Sequence, residues 1–369
     1  SLDWDDPSTK ASTMRLMKIR RAQCLLLAMG LMVPALSLGF ADPLDQPAPM
    51  SPLVVRNVLL GVSLAGPRLV AVGQRGAVVY SDDQGKSWAQ ARVPVSADLT
   101  AVWFADARQG WAVGHDGVIL HTGDGGQTWV KQLDGRQANT MLVADLQAKL
   151  SVQPDDKRLL GLLDEAKRNV EAGPDKPFMD VWFSDAQNGY AVGAYNLMFR
   201  TSDGGAHWVP WYDRTENPKL YHLYAVRGVG DQVYVAGERG LFLTLDAVRQ
   251  RFVARPMAYQ GTLFAMAAAA GHVMVFGMRG NALRTTDEGQ SWQKVDTGVA
   301  SGLSGATVLG DGRLVAVSQA GEVLVSQNKG ASFELVKGVQ PMVFAGVVGV
   351  GDGRVAVAGT QGIRIVKIP

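Results

Sequence analysis

Thiol chemistry is nearly absent from this sequence: its one cysteine, Cys24, lies in an N-terminal stretch that reads as a segment removed on export. The rest of the chain is expected to hold no disulfide, no thiolate nucleophile and no cysteine-bound metal, so a packed core must stabilise it. An excess of charge is missing too. The 36 Lys and Arg residues face 34 Asp and Glu. Five of the basic and three of the acidic residues precede Asp42, which leaves 31 of each beyond it. A neutral chain implies no nucleic-acid partner. No GxxxxGK[ST] phosphate loop occurs, and no GxGxxG opens a helix in the glycine-rich stretch Gly114–Trp129. The five histidines, at positions 115, 121, 207, 222 and 272, lack metal-ligand spacing, and no DxDxDG calcium loop is found. Neither a metal nor another cofactor is expected. The apolar run Cys24–Leu38 is short for crossing a bilayer about 30 Å thick.

That run has another reading. Met14 opens "MRLMKIRRAQCLLLAMGLMVPALSLGFA", in which Arg15, Lys18, Arg20 and Arg21 precede the apolar core and Gly39-Phe40-Ala41 supply small residues at its end. This is the pattern of a secretory signal peptide over residues 14–41, with residues 1–13 an upstream extension. The exported chain, expected in the periplasm, then runs over residues 42–369.

Glycine is abundant, at 43 residues, and it recurs in order. A G-x-x-G word, or a close variant, begins at positions 73, 114, 193, 237, 277, 318 and 359. The intervals are 41, 79, 44, 40, 41 and 41 residues. A period near forty, built of short apolar strands and glycine turns, is the signature of a propeller blade. The second copy shows how: strands are expected at Leu99–Phe104, Trp111–Gly114, Val118–His121 and Thr128–Leu133, with His115-Asp116 in a two-residue hairpin. The fold class is therefore all-β, a seven-bladed β-propeller. The segment Gln46–Val54 is expected to complete the seventh blade as its outer strand and so remove the open edge.

The long interval is one insertion between blades two and three. Met141, Leu142, Leu146 and Leu150, then Leu159, Leu160, Leu163, Ala166 and Val170, follow helical spacing, with a break at Pro154-Asp155. Residues 137–173 thus predict an α-helical hairpin whose apolar face must rest on the propeller or on a partner.

After the third strand comes a second word, [ST]-x-D-x-G-x-[ST]-[WF], intact at Ser81–Trp88, Thr122–Trp129 and Thr285–Trp292. The third copy has His207 in place of the second Ser or Thr, and Asn328 and Phe333 alter the sixth. Asp83, Asp124, Asp203 and Asp287 are expected to accept backbone N–H bonds within their turns. Trp88, Trp129, Trp208 and Trp292 are expected to pack between blades. Too few oxygens converge for calcium.

This word resembles the Asp-box, or BNR repeat, of sialidases and other propellers. The longer phrase "GWAVGxxGxIxxTxDGGxTW", preceded by "VWF.DA..G", resembles the photosystem II stability/assembly factor family of seven-bladed propellers, from about Leu53 to Pro369. The fourth and seventh copies depart from the Asp-box. The resemblance implies a non-catalytic propeller that binds a protein and assists assembly or stability of a membrane complex. For an exported protein, an envelope complex such as an RND-type transporter fits. In sialidases the Asp-boxes lie away from the active site, which directs attention to the opposite face.

On that face the G-x-x-G tips carry Arg75, Arg239 and Arg279 at one repeat position, with His115, Asp116, Tyr195 and Glu238 on equivalent tips. The link "PWYDRTENPKLYH" adds Trp211, Tyr212 and Arg214. Exposed arginine and aromatic groups suit recognition of a carboxylate, a phosphate or a protein surface. The competing reading is an Asp-box glycosidase or carbohydrate-binding propeller. A glycosidase needs a carboxylate pair; Asp116 and Glu238 are two blades apart, the F/Y-R-I-P phrase of sialidases is missing, and no Ser-His-Asp order stands out. No catalytic residue is therefore assigned. N-terminal sequencing of the exported protein should begin near Asp42; a product retaining Met14 or Met17 would contradict the signal-peptide reading.

Overall fold

In the computed structural model, residues 41–369 are described, and the expected signal peptide and upstream extension, Cys24 included, otherwise lie outside them. Seven antiparallel sheets follow one another in sequence. Blade two, for example, comprises Leu99–Phe104, Gly110–Gly114, Ile119–Thr122 and Val130–Leu133, hydrogen-bonded in that order. The first strands of successive blades lie side by side, and that of blade seven, Phe344–Gly351, returns beside that of blade one, Leu59–Ala65. The ring is closed, with seven blades.

The second strands explain the unbroken apolar words. Gly110–Gly114 (GWAVG), Gly189–Gly193 (GYAVG) and Leu314–Ser318 (LVAVS) are buried at every position, because each blade is covered on both faces by its neighbours. The first strands converge on the axis, where only small groups fit. A β-carbon on Gly61 would lie 3.1 Å from the α-carbon of Ala101 in the next blade.

The Asp-box turns form the seams between blades. In blade two, the Thr122 hydroxyl donates to Asp124 Oδ1 (2.8 Å) and accepts from Gly126 N (3.0 Å). Asp124 in turn accepts from Thr128 N (3.0 Å) and Thr128 Oγ1 (2.6 Å). Gly126 has φ +90°, and a side chain there would press on Val70 of blade one. Gly85 sits likewise against Ile365 of blade seven, Gly205 against Gln132, Gly289 against Phe242 and Gly330 against Met274. Trp88, Trp129, Trp208 and Trp292 belong to the apolar clusters at these seams. The seams explain the tryptophan in the motif: its ring fills the space between sheets, while the indole N–H of Trp88 and Trp129 ties back to the turn at Gly85 O and Gly126 O (both 3.1 Å) and that of Trp208 reaches Gln132 of blade two at 3.2 Å.

Two expectations are corrected. The seventh sheet has three strands, Phe344–Gly351, Arg354–Gly359 and Gly362–Lys367, and Gln46–Val54 does not pair with it. Instead Ala48 N donates to Val93 O (3.0 Å), Ser51 N donates to the Gln90 side chain, and the short turn Val54–Arg56 places Val54 and Val55 in the apolar seam between blades one and seven. The edge is covered by packing rather than by a strand. Nor do His115-Asp116 fill the hairpin: in blades one to five the tip is a left-handed turn whose two central residues have positive φ, in blade two Asp116 (+56°) and Gly117 (+65°), with Val118 N donating to His115 O at 3.2 Å and Gly114 N to Val118 O at 3.1 Å.

The insertion forms two helices, α1 (Gly135–Val152) and α2 (Lys157–Ala172). Asp134 caps α1, accepting from the backbone N–H groups of Arg136 and Gln137 while the Gln137 side chain accepts from Asp134 N. Asp156 caps α2. Leu142, Leu146, Leu159, Leu163 and Ala166 pack together and onto Ile119, Leu133, Trp208 and Tyr212 of blades two and three. The apolar face of the hairpin thus rests on the propeller.

Asp124→Ala should cost about 1–3 kcal/mol, because it leaves the turn donors without an acceptor; denaturant unfolding monitored by tryptophan fluorescence measures it. Hydrogen bonds from Ser87 hold the Asp83 carboxyl at a pKa of about 2, and bonds from Ser291 do the same for Asp287. Asp203 is likewise held at about 2, by the backbone and ring N–H of His207. All three lie below the ordinary 3.8, so the unfolded chain binds the extra protons. The contribution of these three carboxylates to stability should be constant above about pH 5 and fall between about pH 4 and pH 2. A melting temperature indifferent to pH in that window would count against the Asp-boxes as structural elements.

Candidate functional site on the tip face

The links between second and third strands, the links between blades and the helical hairpin all emerge on one face of the ring. Each tip there is held by a repeated bond. The residue after the first glycine donates its N–H to the carbonyl just before its own blade's first strand: Gln74 to Val58 O (3.0 Å), His115 to Asp98 O (2.8 Å), Ala194 to Pro177 O (3.1 Å) and Glu238 to His222 O (3.0 Å). A β-carbon at Gly73, Gly114 or Gly193 would collide with that carbonyl, whereas blade six makes the same bond, from Gln319 N to Gly302 O at 2.9 Å, with Ser318 in the glycine's place.

The next residue is then forced into the left-handed region. Arg75, Asp116, Tyr195, Arg239 and Arg279 have φ between +52° and +57°. Arg75, Arg239 and Arg279 are exposed, and among the described residues no side-chain hydrogen bond or ion pair engages their guanidiniums. Their shared repeat position places all three on the same face. Tyr195 is 56% exposed; its ring lies 4.4 Å from that of His222, and Lys176 Nζ stands 5.3 Å from its centre. His115 is exposed. Arg214 is exposed and stacks 4.1 Å above the indole of Trp211.

Trp211 is a correction. Expected among the exposed groups, it is 6% exposed, sandwiched between Arg214 and Arg200. Tyr212 is also buried, its hydroxyl donating to Asp145 of α1 at 3.2 Å. Tyr212 anchors the hairpin, while Trp211 packs between blades three and four and carries Arg214 on its ring. The tip carboxylates have their own engagements. Glu238 accepts from His222 N at 2.8 Å, and burial pushes the Asp116 carboxyl above its usual range. Among the described residues no cluster of three or more His, Cys, Asp or Glu side chains could hold a metal.

Sequence reasoning missed the axis. The second residues of the first strands line the channel, and among them Tyr224 and Phe264 bring aromatic rings 5.6 Å apart. At the third position six blades have Gly61, Ala101, Ala225, Ala265, Gly305 and Gly346, whereas blade three has Asp180. Asp180 is buried, accepts from Val226 N (2.9 Å) and Val181 N (3.0 Å), and pairs with Arg227 at 2.5 Å. An acid where every other copy has glycine or alanine was a readable signal.

The family model described as "Photosynthesis system II assembly factor YCF48" matches residues 81–148 and 163–334, leaving out the middle of the helical hairpin. The chain belongs to this family. It is 24% identical over 147 residues to the photosystem II assembly lipoprotein Ycf48 of Synechococcus sp. (strain CC9902), covering 39% of this chain and 44% of that protein. It is 35% identical over 82 residues to the chloroplastic photosystem II stability/assembly factor HCF136 of Cyanidioschyzon merolae (strain NIES-3377 / 10D), covering 21% of this chain and 19% of that one. The chain thus spans less than half the length of the curated relatives it matches. Among solved structures, YCF48 bound to D1 peptide superposes with a TM-score of 0.61 at 15% identity, over 85% of this chain and 94% of that one. YCF48 from Cyanidioschyzon merolae does so with 0.61 at 17% identity, over 88% and 98%. At these identities the structures speak for the propeller fold. Among the described residues no helix is long and apolar enough to cross a membrane.

Asp180→Ala should destabilise the protein by about 3 kcal/mol, because Arg227 keeps a half-buried charge with no counterion and two backbone N–H groups lose their acceptor. Replacing both, as Asp180→Ala with Arg227→Met, should recover much of that loss in denaturant unfolding.

Proposed function

We propose that this protein is a non-catalytic, exported propeller that binds another protein through its tip face and assists the assembly or stability of a membrane complex of the cell envelope. The observation that carries the reading is the set of exposed guanidiniums at one repeat position, Arg75, Arg239 and Arg279, none engaged within the described fold. Membership of an assembly-factor family supports it, as does the likeness to a structure of YCF48 bound to D1 peptide. Unengaged arginines gathered on one face recognise carboxylates strongly once a partner excludes water. An RND-type transporter is an envelope complex of the kind intended. The glycosidase reading has less support. Its two tip carboxylates stand in different blades, and Glu238 already accepts a backbone N–H.

Arg75, Arg239 and Arg279 changed together to alanine should leave the melting temperature nearly unchanged, since solvated tips contribute little to stability. Residues 42–369 used to capture a partner from envelope extract, followed by titration calorimetry on that partner, should show a loss of about 2 kcal/mol or more in the triple variant. Unchanged affinity would overturn the arginine-face reading. Asp124→Ala, on the opposite face, should bind normally at temperatures where it is folded.

A further inference from the structure

The helical hairpin does not close fully against the ring. Between α1, α2 and the tip of blade three lies an apolar cleft floored by Leu142, Leu146 and Ala166 and bounded by Ala194, Leu197 and Tyr212. Half-buried Leu162, Asn169 and Leu220 reach its edge, and the exposed ring of Tyr195 stands at its lip. From that lip an aromatic row leads toward the axis: Tyr195 to His222 at 4.4 Å, His222 to Tyr224 at 6.2 Å, and Tyr224 to Phe264 at 5.6 Å, the last two lining the channel.

The charges beside this track are unevenly matched. Of the acids on this face, Glu165 pairs with Lys176 at 3.3 Å, Asp145 and Asp213 share Lys149 at 2.6 and 2.8 Å, Glu238 and Asp98 accept the backbone N–H groups of His222 (2.8 Å) and Arg75 (2.7 Å), and Asp116 at the blade-two tip stands near Asp98 and Asp175. The guanidiniums of Arg75, Arg239 and Arg279 have no carboxylate partner among the described residues, and Arg214 meets only the face of Trp211. An apolar slot whose aromatic track passes His222, held by Glu238 next to the unpaired Arg239, complements one chemistry: an acidic protein segment with a bulky apolar side chain.

We infer that the cleft between the hairpin and blade three is the specificity pocket of the partner site, receiving one leucine- or phenylalanine-sized side chain of an extended acidic segment that then crosses Tyr195 and His222 toward the channel mouth. The inference rests on the protein-binding reading above and gives the insertion a role: α2 forms the outer wall of the pocket. Burying such a side chain supplies discrimination that the arginines cannot, because charge alone does not distinguish one acidic segment from another.

The test uses residues 42–369 and short fluorescent peptides in which a single leucine or phenylalanine lies between Asp-Glu pairs. Control peptides carry serine at the apolar position or lysine at the acidic ones. Anisotropy titrations should show the leucine or phenylalanine peptide binding about tenfold or more tighter than the serine peptide. Ala166→Phe fills the cleft. Tyr195→Asn removes the lip with a residue that accepts the left-handed backbone. Each should abolish that ratio while keeping the preference for acidic over basic peptides. The triple arginine variant should do the reverse. If Ala166→Phe fails to fold, Tyr195→Asn alone decides. Equal affinity of leucine and serine peptides, a ratio that survives Tyr195→Asn, or no binding of any peptide overturns the pocket. The wider reading is judged separately, by the effect of the arginine substitutions on the captured envelope partner.

Discussion

Every blade is pinned at one point, where the N–H after the first tip residue, glycine in six blades and Ser318 in blade six, donates to the carbonyl preceding the blade's own first strand. The bond recurs in all seven copies, ending with Thr360 N to Val343 O at 3.1 Å. It brings two backbones so close that no β-carbon fits between them at Gly73, Gly114 or Gly193. It accompanies the register shift near the start of the first strand, seen between Leu59 and Gly61, Leu99 and Ala101, and Leu263 and Ala265. It also sets the tip itself, since the chain must turn at once into the third strand through a left-handed residue in blades one to five. The tip face is built from the same contact that fixes the register of the sheets.

The ring is repetitive in backbone and uneven in chemistry. Blades two to four hold the departures from the pattern: the hairpin after Leu133, the Asp180–Arg227 pair at the axis and the aromatic link around Trp211. They are mechanically joined. Arg227 lies 5.4 Å from the ring of Trp103 in blade two while pairing with Asp180 of blade three, so it ties three blades together. On the tip face Lys149 of α1 pairs with Asp213, and Tyr212 donates to Asp145. The hairpin is thus held on the sector where the channel is braced, which gives its cleft a rigid far wall.

Repetition made the fold legible. Seven copies of one glycine word and five recognisable Asp-box turns specify strand order, turn chemistry and blade number together, because each turn demands its own residues: glycine at φ +90° in Gly126, aspartate to collect the donors of Thr128. What escaped was decided by contacts between elements far apart in sequence. The covering of blade seven by Val54 and Val55 depends on a seam shape that periodicity does not describe. Burial of Trp211 depends on Arg200 and Arg214 closing over it, and a tryptophan in a polar link reads as exposed without that knowledge. Asp180 was visible as an exception, but its meaning required Arg227, 47 residues onward in the next blade.

The tips supply the physical reason to look for function on this face. A long side chain at φ near +55° costs about 1 kcal/mol relative to glycine, and asparagine tolerates the conformation better than arginine. The backbone would accept either at positions 75, 239 and 279. The fold gains nothing in return from the arginines, whose guanidiniums meet no acceptor among the described residues. Asn196, one residue beyond the blade-three tip, shows what the fold does with such a residue when it can use it: at φ +63° its amide donates to Tyr212 O and Thr215 Oγ1 and is buried. Strain that is compensated inside the protein is structural. The same strain recurs in five blades, and in three of them the side chain is an arginine held out to solvent with no compensating contact among the described residues, which is why the proposed function rests on these tips.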